Sequence, residues 1–353
     1  MSKKVYVGMS GGVDSSVTAA LLLEQGYDVT GVYMKNWSQD LPGMICPWKE
    51  DYQDAKRVAV KLGIDFKMYD FETEYRERVV DYMLEGYKAG ITPNPDIMCN
   101  QEVKFKLFLD AALEDGADMI ATGHYARIRD GQLLTGLDAN KDQSYFLYRV
   151  QQSALLRSLM PIGEYKKPAV RELARKYGLS TAEKKDSQGI CFVGKVGIKD
   201  FLQQFVQTEP GAIVDSTGRH IGEHDGAIFY TIGQRHGLDV GGGLPYYVIG
   251  KDMHKNEVYV TTDLNDDKLW TRELTLTSEH WINSYPTLGR EYYVRTRYRA
   301  PLVKCFLSRD AYEAELVVDM EEEVRAITPG QSAVLYEQDG AHGYHVVGGG
   351  IVI

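Results

Sequence analysis

Two cysteines and one aspartate occupy positions suited to chemistry more than to packing. Thr92-Pro93-Asn94-Pro95-Asp96-Ile97-Met98-Cys99-Asn100 sets a carboxylate and a thiol three residues apart. Its two prolines stiffen the backbone and keep the flanking helices from merging. Asp186-Ser187-Gln188-Gly189-Ile190-Cys191-Phe192-Val193 places a second thiol in a polar loop ahead of an apolar run. A thiol in a polar loop is a candidate nucleophile, whereas one on a periodic apolar face is a small core residue. Cys99 and Cys191 read as the first kind and Cys305, in a β stretch, as the second. Cys46, beside Pro47 and Trp48, has no evident role. Four scattered cysteines without a C-x-x-C pair argue against a disulfide framework and a zinc ribbon, and no metal site is expected.

The N-terminus carries a phosphate chemistry. Gly8-Met9-Ser10-Gly11-Gly12-Val13-Asp14-Ser15-Ser16 lies between an apolar run and a helical pattern. Adjacent glycines let the backbone approach a ligand, and N–H groups at a helix start favour an anion. The hydroxyls of Ser10, Ser15 and Ser16 add donors, while Asp14 fits beside phosphate only with a magnesium ion between them. Neither a Walker A lysine motif nor a G-x-G-x-x-G fingerprint occurs in the chain.

These segments need a scaffold, and the first half of the chain supplies alternating strands and helices. Strands are expected at Val5–Val7, Val29–Met34, Phe66–Tyr69 and Asp118–Thr122. Helices are expected at Ser16–Gln25, Asp51–Leu62, Glu72–Lys88 and Val103–Glu114. Such alternation implies βαβ units and a parallel sheet, whose ligands bind along the edge where the strands end. After about Phe201 the pattern becomes short β runs between glycine turns. The reading is an α/β domain over 1–200, a small β-rich central module over 201–272 and a C-terminal β-barrel over 273–353. No apolar run approaches the ~20 residues of a membrane span, and the N-terminus enters a strand pattern at once, so a cytoplasmic protein is expected.

With 40 basic and 50 acidic residues, the net charge of −10 disfavours indiscriminate nucleic-acid binding but allows a local basic patch. Residues 290–309 hold six basic residues and one acidic, and 164–185 hold seven and three. In an extended strand Arg295, Arg297 and Arg299 would share a face with Tyr293, a cationic and aromatic surface suited to phosphates and bases. A solvated surface is the alternative reading of both patches.

S-G-G-V-D-S after a first strand resembles the pyrophosphate loop of the ATP pyrophosphatase superfamily, whose members split ATP between the α and β phosphates. P-N-P-D-I-M-C-N, T-G-H-Y-A-R, K-D-Q-S-Y-F-L, S-Q-G-I-C-F and Y-T-I-G-Q-R follow in order to Arg235. Together with Pro329-Gly330-Gln331-Ser332-Ala333, these motifs resemble the bacterial tRNA-specific 2-thiouridylase family along essentially the whole chain. His236 stands where many members carry lysine.

The resemblance implies an adenine nucleotide alpha-hydrolase-like first domain that uses ATP, with Mg2+, to adenylate C2 of a wobble uridine in tRNA. It implies ATP contacts from Gly8, Met9, Ser10, Gly11, Gly12, Val13, Asp14, Ser15, Met34 and Gly123. Asn94, Pro95 and Asp96 would meet the target base, Asp96 acting as acid or base. Cys191 would carry a persulfide delivered by a donor protein, and Cys99 would be the second nucleophile, leaving a transient Cys99–Cys191 disulfide. The family places tRNA contacts at positions matching His124, Lys141, Asp142, Gln143, Arg297, Tyr298 and Gln331. His124 equally fits a satisfied buried histidine. Three alternatives stay open: an AMP-forming amide ligase, a non-catalytic RNA-binding protein, and sulfide delivery from a cysteine-held iron–sulfur cluster.

Overall fold

A parallel strand covered on both faces must be apolar along its length, and four of the five residues of β1 (Lys4–Gly8) are buried. β1 pairs in parallel with β2 (Asp28–Lys35), β2 with β3 (Asp65–Asp70), and the other edge of β1 with β4 (Met119–Ala121). The chain then makes a hairpin, β5 (Ala126–Arg129) and β6 (Gln132–Thr135), and returns as β7 (Ser158–Leu159) beside β4. The sheet order is β3-β2-β1-β4-β7. It reverses direction of growth between β1 and β4, so the crevice outside their carboxyl ends is the place where such a sheet takes a ligand. The computed structural model describes residues 2–40, 46–185, 197–238, 240–241, 243–309 and 315–353. Cys191 and the rest of 186–196 lie outside the described residues.

Helix α1 (Val13–Glu24) leaves β1 through the glycine loop, and α2 (Trp48–Leu62) follows β2. Helix α3 spans 72–88 with Arg76–Val80 in π-type hydrogen bonding. Helix α4 spans 95–114 and carries a longer π stretch, Cys99–Leu107. Such stretches are rare and favour functional sites. Helix α5 (Lys167–Lys176) packs on α1.

One sequence expectation is corrected here. α4 begins at Pro95 rather than near Val103, so Asp96 and Cys99 are helical and not in a polar loop. Asn94 caps the helix, its side-chain oxygen accepting from the N–H groups of Asp96 (3.2 Å) and Ile97 (3.4 Å). Pro95 sits at the first helical position, where its missing N–H costs nothing. Cys99 is 0% exposed, in an apolar cluster with Met34, Trp37 and Phe105.

The central module is a four-stranded sheet, β8 (Gly211–Asp215), β9 (His220–His224), β10 (Tyr247–Asp252) and β11 (Glu257–Thr261), in the order β10-β11-β8-β9. The C-terminal strands are β12 (Trp270–Trp281), β13 (Glu291–Arg295), β14 (Val303–Arg309), β15 (Leu316–Arg325), β16 (Ser332–Gln338) and β17 (Tyr344–Val352). They pair antiparallel and close into a six-stranded barrel through β12 and β17. The β5–β6 hairpin of the first domain joins this sheet, Leu134 opposite His345 and Leu133 opposite Val346. The sequence pattern had not shown that link.

The expected arginine face is also corrected. β13 ends at Arg295, and Arg299 has a positive φ of 62°, so the three arginines do not share a strand face. Arg295 turns inward to Asp142 (2.8 Å). Arg290, Lys304 and Arg309 pair with Glu337, with Glu291 and Glu321, and with Glu279. In the second basic stretch Lys184 pairs with Asp51 and Asp54, Arg175 with Glu183 and Lys176 with Glu24. Most of the local positive charge is therefore spent internally.

Candidate nucleotide and base site

The loop after β1 is shaped for close approach. Gly11 has φ +74°, and a Cβ there would lie 2.3 Å from the Asp51 carbonyl oxygen, so only glycine fits against α2. The Met9 N–H bonds the Val32 carbonyl (2.8 Å), fixing the loop to β2. Gly12 precedes α1 in extended backbone, and no side chain caps the helix, so its first N–H groups remain open to an anion. Ser15 accepts from the Ser10 N–H at 3.2 Å, and the two hydroxyls lie 3.4 Å apart. Val13 is buried under the loop.

Gly123 and Met34 join this loop from neighbouring strands. A Cβ on Gly123 would be 2.7 Å from the Ser15 nitrogen, and one on Gly8 would be 3.0 Å from the Met34 methyl. The expected nucleotide residues thus converge at the reversal point of the sheet.

A residue that the sequence reading missed completes the loop. The Lys167 ammonium lies 2.8 Å from both oxygens of Asp14, and the Tyr125 hydroxyl donates to the same carboxylate at 2.7 Å. Lys167 is only 9% exposed, and its backbone N–H donates to Asp138 (2.9 Å). The loop therefore has a lysine, supplied 153 residues downstream. The buried residues of α5 are Lys167, Val170 and Ala174, so this lysine stands on the apolar stripe of an otherwise polar helix. That misplaced charge was the available signal.

α4 connects the loop with the candidate base site. Phe108 lies 3.4 Å from the Cβ position of Gly8, and the Phe105 ring is 5.7 Å from the His124 ring. Asp96 and Cys99 lie earlier on the same helix, about 14–18 Å along its axis from Phe108 at the α-helical rise. Three residues apart on a helix, they share a face. The Asn94 oxygen that would accept from a base is engaged in capping, which leaves its NH2 group to donate.

The expected RNA contacts separate into two groups. Arg297 is exposed, and the Tyr298 ring packs 4.7 Å from the Phe146 ring, with the Arg299 guanidinium 5.0 Å from its centroid. The Phe146 carbonyl accepts from Asn100 (3.0 Å), placing this aromatic group beside Cys99 in the chain. Lys141 is half-buried nearby in sequence. The second group faces inward. Asp142, 3% exposed, accepts from the Gly136 and Ser144 N–H groups and pairs with Arg295. Gln143 accepts from the Tyr125 N–H (2.9 Å), and Gln331 donates to the Thr92 carbonyl (2.7 Å). His124, 8% exposed, bonds Thr122 (2.8 Å); burial and then the Lys104 ammonium hold its imidazole well below the usual range, hence neutral.

Cys305 is buried in the barrel core, and burial pushes its thiol up to about 12, as a structural cysteine requires. Burial also raises Cys46, whose thiol donates to the Trp37 carbonyl at 3.6 Å. Among the described residues no cluster of three acidic, histidine or cysteine side chains could hold a metal, and no helix is long and apolar enough to cross a membrane.

Comparison with known proteins agrees with this geometry. Residues 3–195 match the family described as tRNA methyl transferase HUP domain, 199–262 its PRC-barrel domain, and 271–352 an aminomethyltransferase beta-barrel domain. The curated tRNA-specific 2-thiouridylase of Idiomarina loihiensis is 47% identical over 99% of this chain and 96% of its own. Those of Bacillus subtilis (46%, 99% and 94%) and Neisseria gonorrhoeae (49%, 99% and 95%) are similarly matched. The chain belongs to the tRNA-specific 2-thiouridylase family. The family-model descriptions speak of methyl transfer, whereas full-length relatives at this identity are named for thiolation. An anion loop with a lysine-paired aspartate suits phosphate chemistry, which thiolation uses and methyl transfer does not need.

Proposed function

We propose that this protein is an ATP-dependent sulfurtransferase that converts the wobble uridine of tRNA to 2-thiouridine. The observation that carries the reading is near-complete coverage by 2-thiouridylases at 46–49% identity, over a chain whose expected nucleotide residues meet in one crevice. A uracil C2 oxygen is a poor leaving group. Its attack on the α-phosphorus of ATP expels pyrophosphate and turns that oxygen into part of an AMP leaving group. The α1 N-terminus, Ser10, Ser15 and Lys167 would hold the phosphates, and Met34 and Gly123 would line the adenosine. An Mg2+ ion carried by ATP takes one or two carboxylates with phosphate oxygens; Asp14 would be the loop's carboxylate for it, exchanging for the ion the Lys167 and Tyr125 bonds that its oxygens now make. When bound, the ion neutralises charge on the departing pyrophosphate.

A persulfide on Cys191, loaded by a donor protein, then attacks C2 with its terminal sulfur and expels AMP. Persulfide serves here because a thiol of pKa ~8.5 is only a few per cent ionised at neutral pH. The Cys99 thiolate attacks the Cys191 sulfur, breaking the S–S bond to the transferred atom. This frees 2-thiouridine and leaves a Cys99–Cys191 disulfide for a two-electron cytosolic reductant. Asp96, on the Cys99 face of α4, would move the proton. The wobble base lies in a single-stranded loop and is flipped at modest cost, with Tyr298 as a stacking ring and Arg297 and Lys141 toward the backbone.

The test is migration of unmodified glutamate-type tRNA in a mercury-containing gel after incubation with protein, ATP and a persulfide donor. An ATP-dependent retarded band, absent with Cys99→Ser and with Cys191→Ser under single turnover, is expected. Thiolation that survives Cys191→Ser would overturn the relay, and no retardation by the wild type would overturn the function.

A further inference from the structure

Thr92 stands two residues before the cap of α4, and all three of its polar groups are held by other domains. Its N–H donates to the Pro329 carbonyl of the barrel (2.9 Å), and its carbonyl accepts from the Gln331 side chain (2.7 Å). Its hydroxyl lies 3.2 Å from that of Thr231 in the central module. Thr92 is 7% exposed, so these bonds are sheltered from water.

Sterics reinforce the junction from every side. Gly330 has φ +90°, and a Cβ there would be 2.8 Å from the Thr92 nitrogen. A Cβ on Gly90 would meet the Met253 side chain of the central module at 2.6 Å, and one on Gly86 would meet Pro93 at 2.8 Å. Residues 90–93 are thus clamped by two domains and by α3 behind them. The chain then runs directly into Asn94, Pro95 and Asp96, with Cys99 one turn further. A rigid clamp at Thr92 fixes where that helix starts, and helix rigidity carries the placement to Asp96 and Cys99.

We infer that Gln331 and Thr231 are positioning residues for the base chemistry, acting through Thr92 on the start of the helix that bears Asp96 and Cys99. The inference rests on the thiolation reading and assigns Gln331 a role other than RNA contact. It makes the barrel and central module part of the site's geometry as well as a surface for tRNA. A group held ~1 Å from its productive place can lose on the order of 100-fold in rate. Loss of one of three clamping bonds is expected to cost less.

The experiment measures tRNA affinity and single-turnover thiolation at saturating tRNA for the full chain carrying Gln331→Ala, Thr231→Val, Thr231→Ser or both of the first two. Each of Gln331→Ala and Thr231→Val is expected to slow thiolation about tenfold, with tRNA dissociation constants within twofold of wild type. Thr231→Ser keeps the hydroxyl and is expected to restore the rate. The double variant is expected to fall short of the product of the single effects, because both act through one residue. A weakened tRNA affinity with an unchanged saturated rate would overturn the inference in favour of an RNA contact, as would unchanged values of both. If Gln331→Ala fails to fold, Thr231→Val against Thr231→Ser decides alone. A wild type inactive in thiolation would refute the functional reading, while tRNA binding by the same samples would show them folded.

Discussion

Replacing Lys167 by methionine removes the ammonium that lies 2.8 Å from both oxygens of Asp14. At an effective dielectric of ~20, two unit charges at 2.8 Å attract by about 6 kcal/mol. Desolvating both groups offsets most of that. The partners differ in exposure, 11% for the lysine side chain and 31% for the aspartate. Asp14 keeps the Tyr125 bond and some water when Lys167 is lost, so Lys167→Met should cost only about 1–2 kcal/mol. Asp14→Asn leaves the more buried ammonium facing a neutral amide and should cost about 3 kcal/mol. The double variant, with neither charge, should recover to near the Lys167→Met value.

Calorimetry of the first domain reads these differences at about 3 °C per kcal/mol. Activity should rank the other way from stability. Pyrophosphate release in a single turnover with tRNA should fall about 100–1000-fold in Lys167→Met and stay low in the double variant, because a preorganised cation at a reacting phosphate is lost. Asp14→Asn less destabilising than Lys167→Met would refute the burial argument. Pyrophosphate release by Lys167→Met within threefold of wild type would refute the assignment of this lysine to the phosphates.

Asp142 links the first domain to Arg295 of the barrel while nearly fully buried, so Asp142→Ala should cost about 3–5 kcal/mol and lower the main calorimetric transition, whereas Arg297→Ala should leave it in place. Gly11→Ala forces a Cβ onto the Asp51 carbonyl at a positive φ and should abolish ATP binding in a titration, while Gly12→Ala, whose Cβ meets only the Ser10 hydroxyl at 3.4 Å, should retain part of it. His124 is held neutral by burial and Lys104, so its folded pKa lies below its unfolded one. Its contribution is present above pH ~6.5 and falls as pH drops below that, by up to about 1.4 kcal/mol per pH unit while the unfolded chain alone binds the proton. Urea midpoints between pH 7 and 5 should therefore fall less steeply for His124→Asn than for the wild type.

The helix start at Pro95 shows where local reading stopped short. Asn94-Pro95 is a cap followed by a first-turn proline, a helix signal in the sequence, yet two prolines in four residues read more readily as a turn. The glycine loop was legible because its glycines and hydroxyls all fall within nine residues, between a strand pattern and a helix pattern. Lys167 and Gln331 were harder: the first meets Asp14 across 153 residues and the second meets Thr92 across 239. Arg295 looked like surface charge because nothing near it in sequence announces Asp142 as its buried counterpart.

The sequence by itself determined the local chemistry: an anion loop at a helix start, a carboxylate and a thiol three residues apart, and an alternation that compels a parallel sheet. Those features follow from backbone freedom and side-chain period, which act over a few residues. The tertiary structure alone decided which charges meet. It brought Lys167 to Asp14, spent most of the basic stretches on internal carboxylates, added the β5–β6 hairpin to the barrel, and gathered three domains at Thr92. Burial makes the difference, because only a closed interior strengthens a single hydrogen bond or ion pair enough to dictate where a distant segment sits.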